Sequence, residues 1–253
     1  MIQILKANLI RLFKNWLYLG GLVVAAVLTY YISRADMELF VLHHINHNEC
    51  MKLISGAVYA FIAIFVPVFE GTEFSDGTIR NKFIMGHSAD EFYLAHLLTS
   101  FLMMVVMEAV WFVSGLLAGA RVDADLLAFA LMTAFAMFSF CAFMTFLQMV
   151  IRTTAACAGT GVVLFYALFF MGLIGNYLFS FQGDKMFTKI LLFILNASPV
   201  GEWFLHSYLG ASEPNDFGYT MSYGLVPHLI LCIVFAALFT IIGIRSLKRK
   251  DLK

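Results

Sequence analysis

Six apolar stretches recur along this chain, at about residues 16–32, 53–69, 92–118, 126–150, 155–181 and 226–244. A helix needs about 20 mainly apolar residues to cross the hydrocarbon layer of a bilayer. Backbone N–H and C=O groups find no water there, so a single-segment span must satisfy them internally, as a helix. With 62% hydrophobic and 13% charged residues, the chain lacks the polar surface that a soluble domain of this size needs. The sequence predicts an all-α integral membrane protein with six transmembrane helices, forming one transmembrane domain over residues 1–253. The net charge of +0 argues against a nucleic-acid partner. The four cysteines show no metal-ligand spacing, and no metal site is expected.

The flanks of the spans carry the remaining information. Over residues 1–15, Ile2, Leu5, Leu9, Leu12 and Phe13 recur at helical spacing, with Gln3, Lys6, Asn8 and Lys14 between them. This pattern predicts an amphipathic helix lying in the membrane interface; the plainer reading is a basic lead-in to the first span. No small-residue cleavage site follows the first apolar run, so it reads as a retained helix rather than a signal peptide. With both termini placed in the cytoplasm, 11 of the 16 Lys and Arg residues fall on the inner side, including the tail at 245–253. The positive-inside rule favours that orientation, in the cell membrane.

Between spans five and six the pattern breaks. Residues 186–195 are apolar but too short to cross, and Asn196-Ala-Ser-Pro199 interrupts them before Trp203 and Phe204. We read 182–222 as a re-entrant helical hairpin in the outer leaflet, with Pro199 and Trp203 as outer-gate residues. An ordinary outer loop with interfacial helices is the alternative.

The stretch between spans two and three reads Glu70-Gly-Thr-Glu73-Phe-Ser-Asp76-Gly77-Thr78-Ile-Arg80-Asn-Lys82, and continues to Ser88-Ala-Asp-Glu91. Glycines punctuate it, and Ser88 with Glu91 matches a capping box that would start span three. Asp76 or Thr78 is placed to cap a short helix through Arg80 and Lys82. A short charged helix held between two spans suits the transmission of force from a soluble partner; a solvated turn is the plainer reading.

This stretch resembles the corresponding loop of the permeases of the ABC-2 transporter family. The tail Arg245-Ser-Leu-Lys-Arg-Lys-Asp251 and the order of spans are similar to that family as well. The resemblance implies a permease paired with a second copy or homologue, each docked on a cytoplasmic ABC ATPase. Residues 70–91 would be the coupling loop, with Glu70, Glu73, Asp76, Gly77, Thr78, Arg80 and Lys82 as coupling residues. The chain has no GxxxxGK[ST] phosphate loop, so it is expected to be non-catalytic and to hold no cofactor. ATP and Mg would sit on the partner. Cargo by this resemblance includes drugs, antimicrobial peptides and lipids, with export the commoner direction.

Polar residues inside spans are the candidates for a substrate pathway: Glu108 in span three, Gln148 in span four and Asn176 in span five. Intramembrane carboxyls usually face a protein interior or a wet cavity, whereas interhelical hydrogen bonding explains Gln148 and Asn176 equally well. His43, His44 and His47 form a bare cluster that weakly suggests metal and reads more simply as a helix end. Two other functions stay open: a membrane sensor or immunity subunit that binds a toxin or peptide and signals through its ATPase, and an intramembrane enzyme.

Overall fold

The computed structural model describes residues 1–34, 47–151, 153–182, 186–198, 201 and 224–249; at 172, 173, 175–182, 188 and 197 it describes the backbone alone. Every described element is a helix: α1 Ile2–Phe13, α2 Trp16–Arg34, α3 His47–Ser75, α4 Thr78–Ile84, α5 Ala89–Ala118, α6 Ala124–Ile151, α7 Thr154–Gln182, α8 Met186–Ala197 and α9 Leu225–Arg249. Six of them, α2, α3, α5, α6, α7 and α9, are long and apolar enough to cross a membrane. The chain has the architecture of an all-α, multi-pass membrane protein. The six expected spans coincide with these helices, most of them within a few residues. The main difference is α3, which starts at His47 and continues to Ser75, well beyond the apolar stretch at either end.

That extension has a physical basis. Charge ends a hydropathy window, but it does not end a helix when neighbouring elements supply partners, and α3 carries Glu70 and Glu73 into the bundle as helical residues. α3 is the central helix, packed against α2, α5, α6 and α7, while α9 lies mainly along α6. Its interior Pro67 has no N–H, so the carbonyl of Ala63, four residues earlier, loses its helical donor. Gly161 of α7 faces this point: a Cβ there would stand 3.0 Å from the Ala63 oxygen. The missing side chain is what lets α7 approach α3 so closely.

The core is apolar and aromatic. Tyr18, Tyr59, Phe65, Met103, Met104 and Trp111 are fully buried in one cluster that joins α2, α3, α5, α6 and α7. Trp111 closes its own polar requirement by donating Nε1–H to the Met51 carbonyl at 2.9 Å. The lipid-facing surface is equally apolar, with Val23, Val113, Leu117, Val163, Phe170 and Val234 all more than half exposed.

α1 is the expected short helix before the first span. It buries Ile4, Asn8 and Leu12 against the bundle and packs on α5 and α2. α8, at 12 residues, is too short to cross a bilayer, as expected for the segment after the fifth span. Pro199 and Trp203, most of the proposed hairpin, His43, His44 and tail residues 250–253 lie outside the described residues.

Candidate functional site

A set of buried polar residues gathers at one end of the bundle, around the carboxylate of Glu73. α3 places this residue on its inward face, 2% exposed. Arg11 of α1 donates from Nη1 to Oε1 at 2.7 Å. Lys82 of α4 donates from Nζ to both oxygens, at 2.7 and 2.6 Å. His96 of α5, fully buried, donates from Nε2 to Oε2 at 3.1 Å. Arg11 also donates to the Phe69 carbonyl at 3.1 Å, and its guanidinium stacks 4.1 Å from the Phe69 ring. A single carboxylate thus ties four helices together. Partners separated from it by 62, 9 and 23 residues hold it, so the joint exists only in the folded chain.

One turn earlier on α3, Glu70 is fully buried and points into the bundle. Ser100 of α5 and Thr145 of α6 donate to its Oε1 at 3.0 and 2.7 Å. Its Oε2 has no hydrogen-bond partner among the described residues. Gln148, three residues beyond Thr145 on the same helix, is fully buried at this end.

The short helix α4 hangs from this joint. Gly77 precedes it with φ 67°, a left-handed conformation that L side chains adopt only with strain, so the reversal from α3 depends on glycine. Neither Asp76 nor Thr78 caps α4, contrary to expectation: Gly77 is the N-cap. The Thr78 hydroxyl instead donates back to the Glu73 carbonyl at 3.2 Å, and Asp76 accepts from Ser75. Ile79 is buried beside Phe92, Tyr93 and Leu247. Arg80 and Asn81 face outward, and Ile84 and Met85 are 73% and 71% exposed. α4 therefore has an inner face, Ile79 and Lys82, locked to the bundle, and an outer face that is free in the isolated chain. The connection closes as the sequence predicts: Ser88 caps α5 by accepting from the Glu91 amide at 3.2 Å. Lys248 of α9 reaches Asp90 at 2.7 Å, which draws the last span to the same end.

The sequence-predicted coupling residues divide accordingly. Glu70 and Glu73, expected on a loop, are buried helix residues: the protein interior holds them through Ser100, Thr145, Arg11, Lys82 and His96. Asp76, Gly77, Thr78 and Arg80 form the exposed turn and helix. Sequence reasoning missed His96, Ser100 and Thr145 as members of this cluster. Their signal was a polar row on one face of α5, His96 and Ser100 four residues apart, and another on α6, Thr145 and Gln148 three apart.

Glu108 is only partly buried and makes no hydrogen bond or ion pair with a described residue. Asn176 lies in α7, beyond the residues whose side chains are described. His47, the described member of the histidine cluster, lies 2.5 Å through Nδ1 from the Ser33 carbonyl, which joins α3 to α2. No group of His, Cys, Asp and Glu suited to a metal ion occurs among the described residues.

Fold and site define a class: an all-helical membrane protein with six helices long enough to span, in which α1, α3, α4 and α5 meet at one buried carboxylate. No protein-family model matches the chain, and no curated protein sequence matches it.

Proposed function

We propose that this chain is the membrane-spanning permease subunit of an ATP-driven transporter of the ABC-2 type. In this reading α4 is the coupling helix, and the power comes from a separate cytoplasmic ABC ATPase that carries ATP and Mg. A second permease copy or homologue completes the pathway. The observation that carries the reading is the construction of α4: outer face exposed, inner face clamped through Lys82 to buried Glu73 and so to α1, α3 and α5. A push on Arg80, Asn81, Ile84 and Met85 reaches three other helices through one rigid joint instead of dissipating in a loop.

Orientation follows from the same end. Arg11, Lys82 and Lys248 converge there, alongside exposed Lys6, Lys14 and Arg80. By the positive-inside rule this end faces the cytoplasm of a cell membrane, where an ATPase is available. Glu108, half-buried at membrane depth, is the residue in this reading that meets cargo; drugs, antimicrobial peptides and lipids are the candidate classes, with export the direction. The test is whether the purified chain brings down a nucleotide-hydrolysing subunit, together with crosslinking from an Ile84→Cys variant. An ATP-sensitive crosslink to a nucleotide-hydrolysing subunit supports the reading. A chain that transports in vesicles without any such subunit overturns it.

A further inference from the structure

α1 seats Ile4, Asn8 and Leu12 in the bundle but leaves part of its apolar surface outside it. The face it turns to the bundle contains Asn8, 1% exposed, between Ile4 and Leu12. The surface it leaves outside carries an apolar stripe of Ile2, Ile10 and Phe13, which are 77%, 50% and 50% exposed. This stripe forms a shallow groove of about 530 Å³, bordered by Lys6 and Lys14. The basic residues of α1 are divided in the same sense. Arg11 turns inward to Glu73, whereas Lys6 and Lys14 are exposed and form no ion pair with a described residue. α1 has no acidic residue in its first turn or elsewhere to neutralise them.

We propose that this lysine-bordered groove of α1 is a binding site for an anionic phospholipid, with an acyl chain along Ile2, Ile10 and Phe13 and the headgroup phosphate between Lys6 and Lys14. The chemistry selects the occupant. An uncovered apolar stripe on an interfacial helix needs hydrocarbon, which any lipid supplies. Two unpaired ammonium groups at its border favour net negative charge, which a zwitterionic headgroup lacks. A bound lipid would also reach the joint described above, because Arg11 sits on the same helix and holds Glu73 from its other side. The inference rests on α1 alone and stands whether or not the chain is a transporter subunit.

The test uses the full chain purified in a neutral detergent, with phosphatidylglycerol and phosphatidylcholine of the same acyl composition offered in equal amounts and bound lipid counted by native mass spectrometry. Each surface lysine contributes about fivefold to binding of an anionic lipid, so phosphatidylglycerol is expected to be preferred by roughly 25-fold. The double variant Lys6→Gln/Lys14→Gln is expected to lose that preference with an unchanged circular-dichroism spectrum, and Lys6→Arg/Lys14→Arg to keep it. Ile10→Ser/Phe13→Ser is expected to weaken retention of both lipids. Persistence of the preference in the glutamine variant, or undiminished retention in the serine variant, overturns the proposal. So does a covalent dimer formed through Ile10→Cys in nanodiscs of either lipid, since a second copy would then cover the stripe.

Discussion

Each end of the bundle buries a side chain held in ion pairs, and the two ends do so in opposite ways. At one end Glu73, 2% exposed, is held by Arg11, Lys82 and His96, which belong to three other helices. At the other end Lys52, 5% exposed, is held by Glu49 on its own helix at 2.9 Å and by Asp125 at the start of α6. The anion is enclosed by its partners, whereas the cation lies beneath carboxylates that are 43% and 73% exposed to solvent. Enclosure makes the first end a mechanical joint. The second end behaves as a surface pair whose carboxylates keep their hydration when the lysine is lost. Asn48 adds to its order by bridging to Asp123 at 2.9 Å and to the backbone of Arg121, which fixes the turn between α5 and α6.

This contrast yields graded expectations. Glu73→Gln leaves Arg11 and Lys82 facing a neutral amide in the interior; breaking a buried pair costs about 3–5 kcal/mol, read as a lower denaturation midpoint in micelles. If Lys52→Met costs as much, the proposed distinction between the ends fails. Gly77→Val forces a branched side chain into the left-handed region, where strain is on the order of 1–3 kcal/mol. If α4 is the coupling helix, the variant also abolishes coupling, measured as ATPase stimulation by cargo in the reconstituted complex. Ser88→Ala removes the cap of α5 and is expected to cost about 1 kcal/mol. Lys52→Met, which removes a pair with exposed carboxylates, is expected to change stability by about 1 kcal/mol or less. Arg80→Glu lies on the exposed face of α4, so stability should move by no more than about 0.5 kcal/mol. Transport driven by ATP should nonetheless fall; a variant at Arg80 that transports normally would argue against α4 as the docking element. Glu108→Gln sharpens the picture further: unchanged stability with an altered cargo range marks a pathway residue, while unchanged cargo removes it from the pathway.

Much of this was readable beforehand at the level of elements. The Ser88-Ala-Asp-Glu91 box begins α5 where it should, and the flexible punctuation at Gly77 and Gly86 brackets α4, both with positive φ. What could not be read was which charges on the 70–91 stretch face solvent. Charge in a one-dimensional pattern looks solvated by default, and only the convergence of Arg11, Lys82 and His96 turns Glu73 inward. The same limit applied to α1, where Asn8 was assigned to the polar side and is instead buried.

The number and approximate positions of the membrane helices, and the presence of a short helix between the second and third, were settled by the amino-acid order itself. The transfer of long apolar segments into lipid is a local property, summed residue by residue. Which carboxylate became the joint was settled by tertiary structure, because burying a charge is tolerable only when compensating groups from distant segments arrive at the same point.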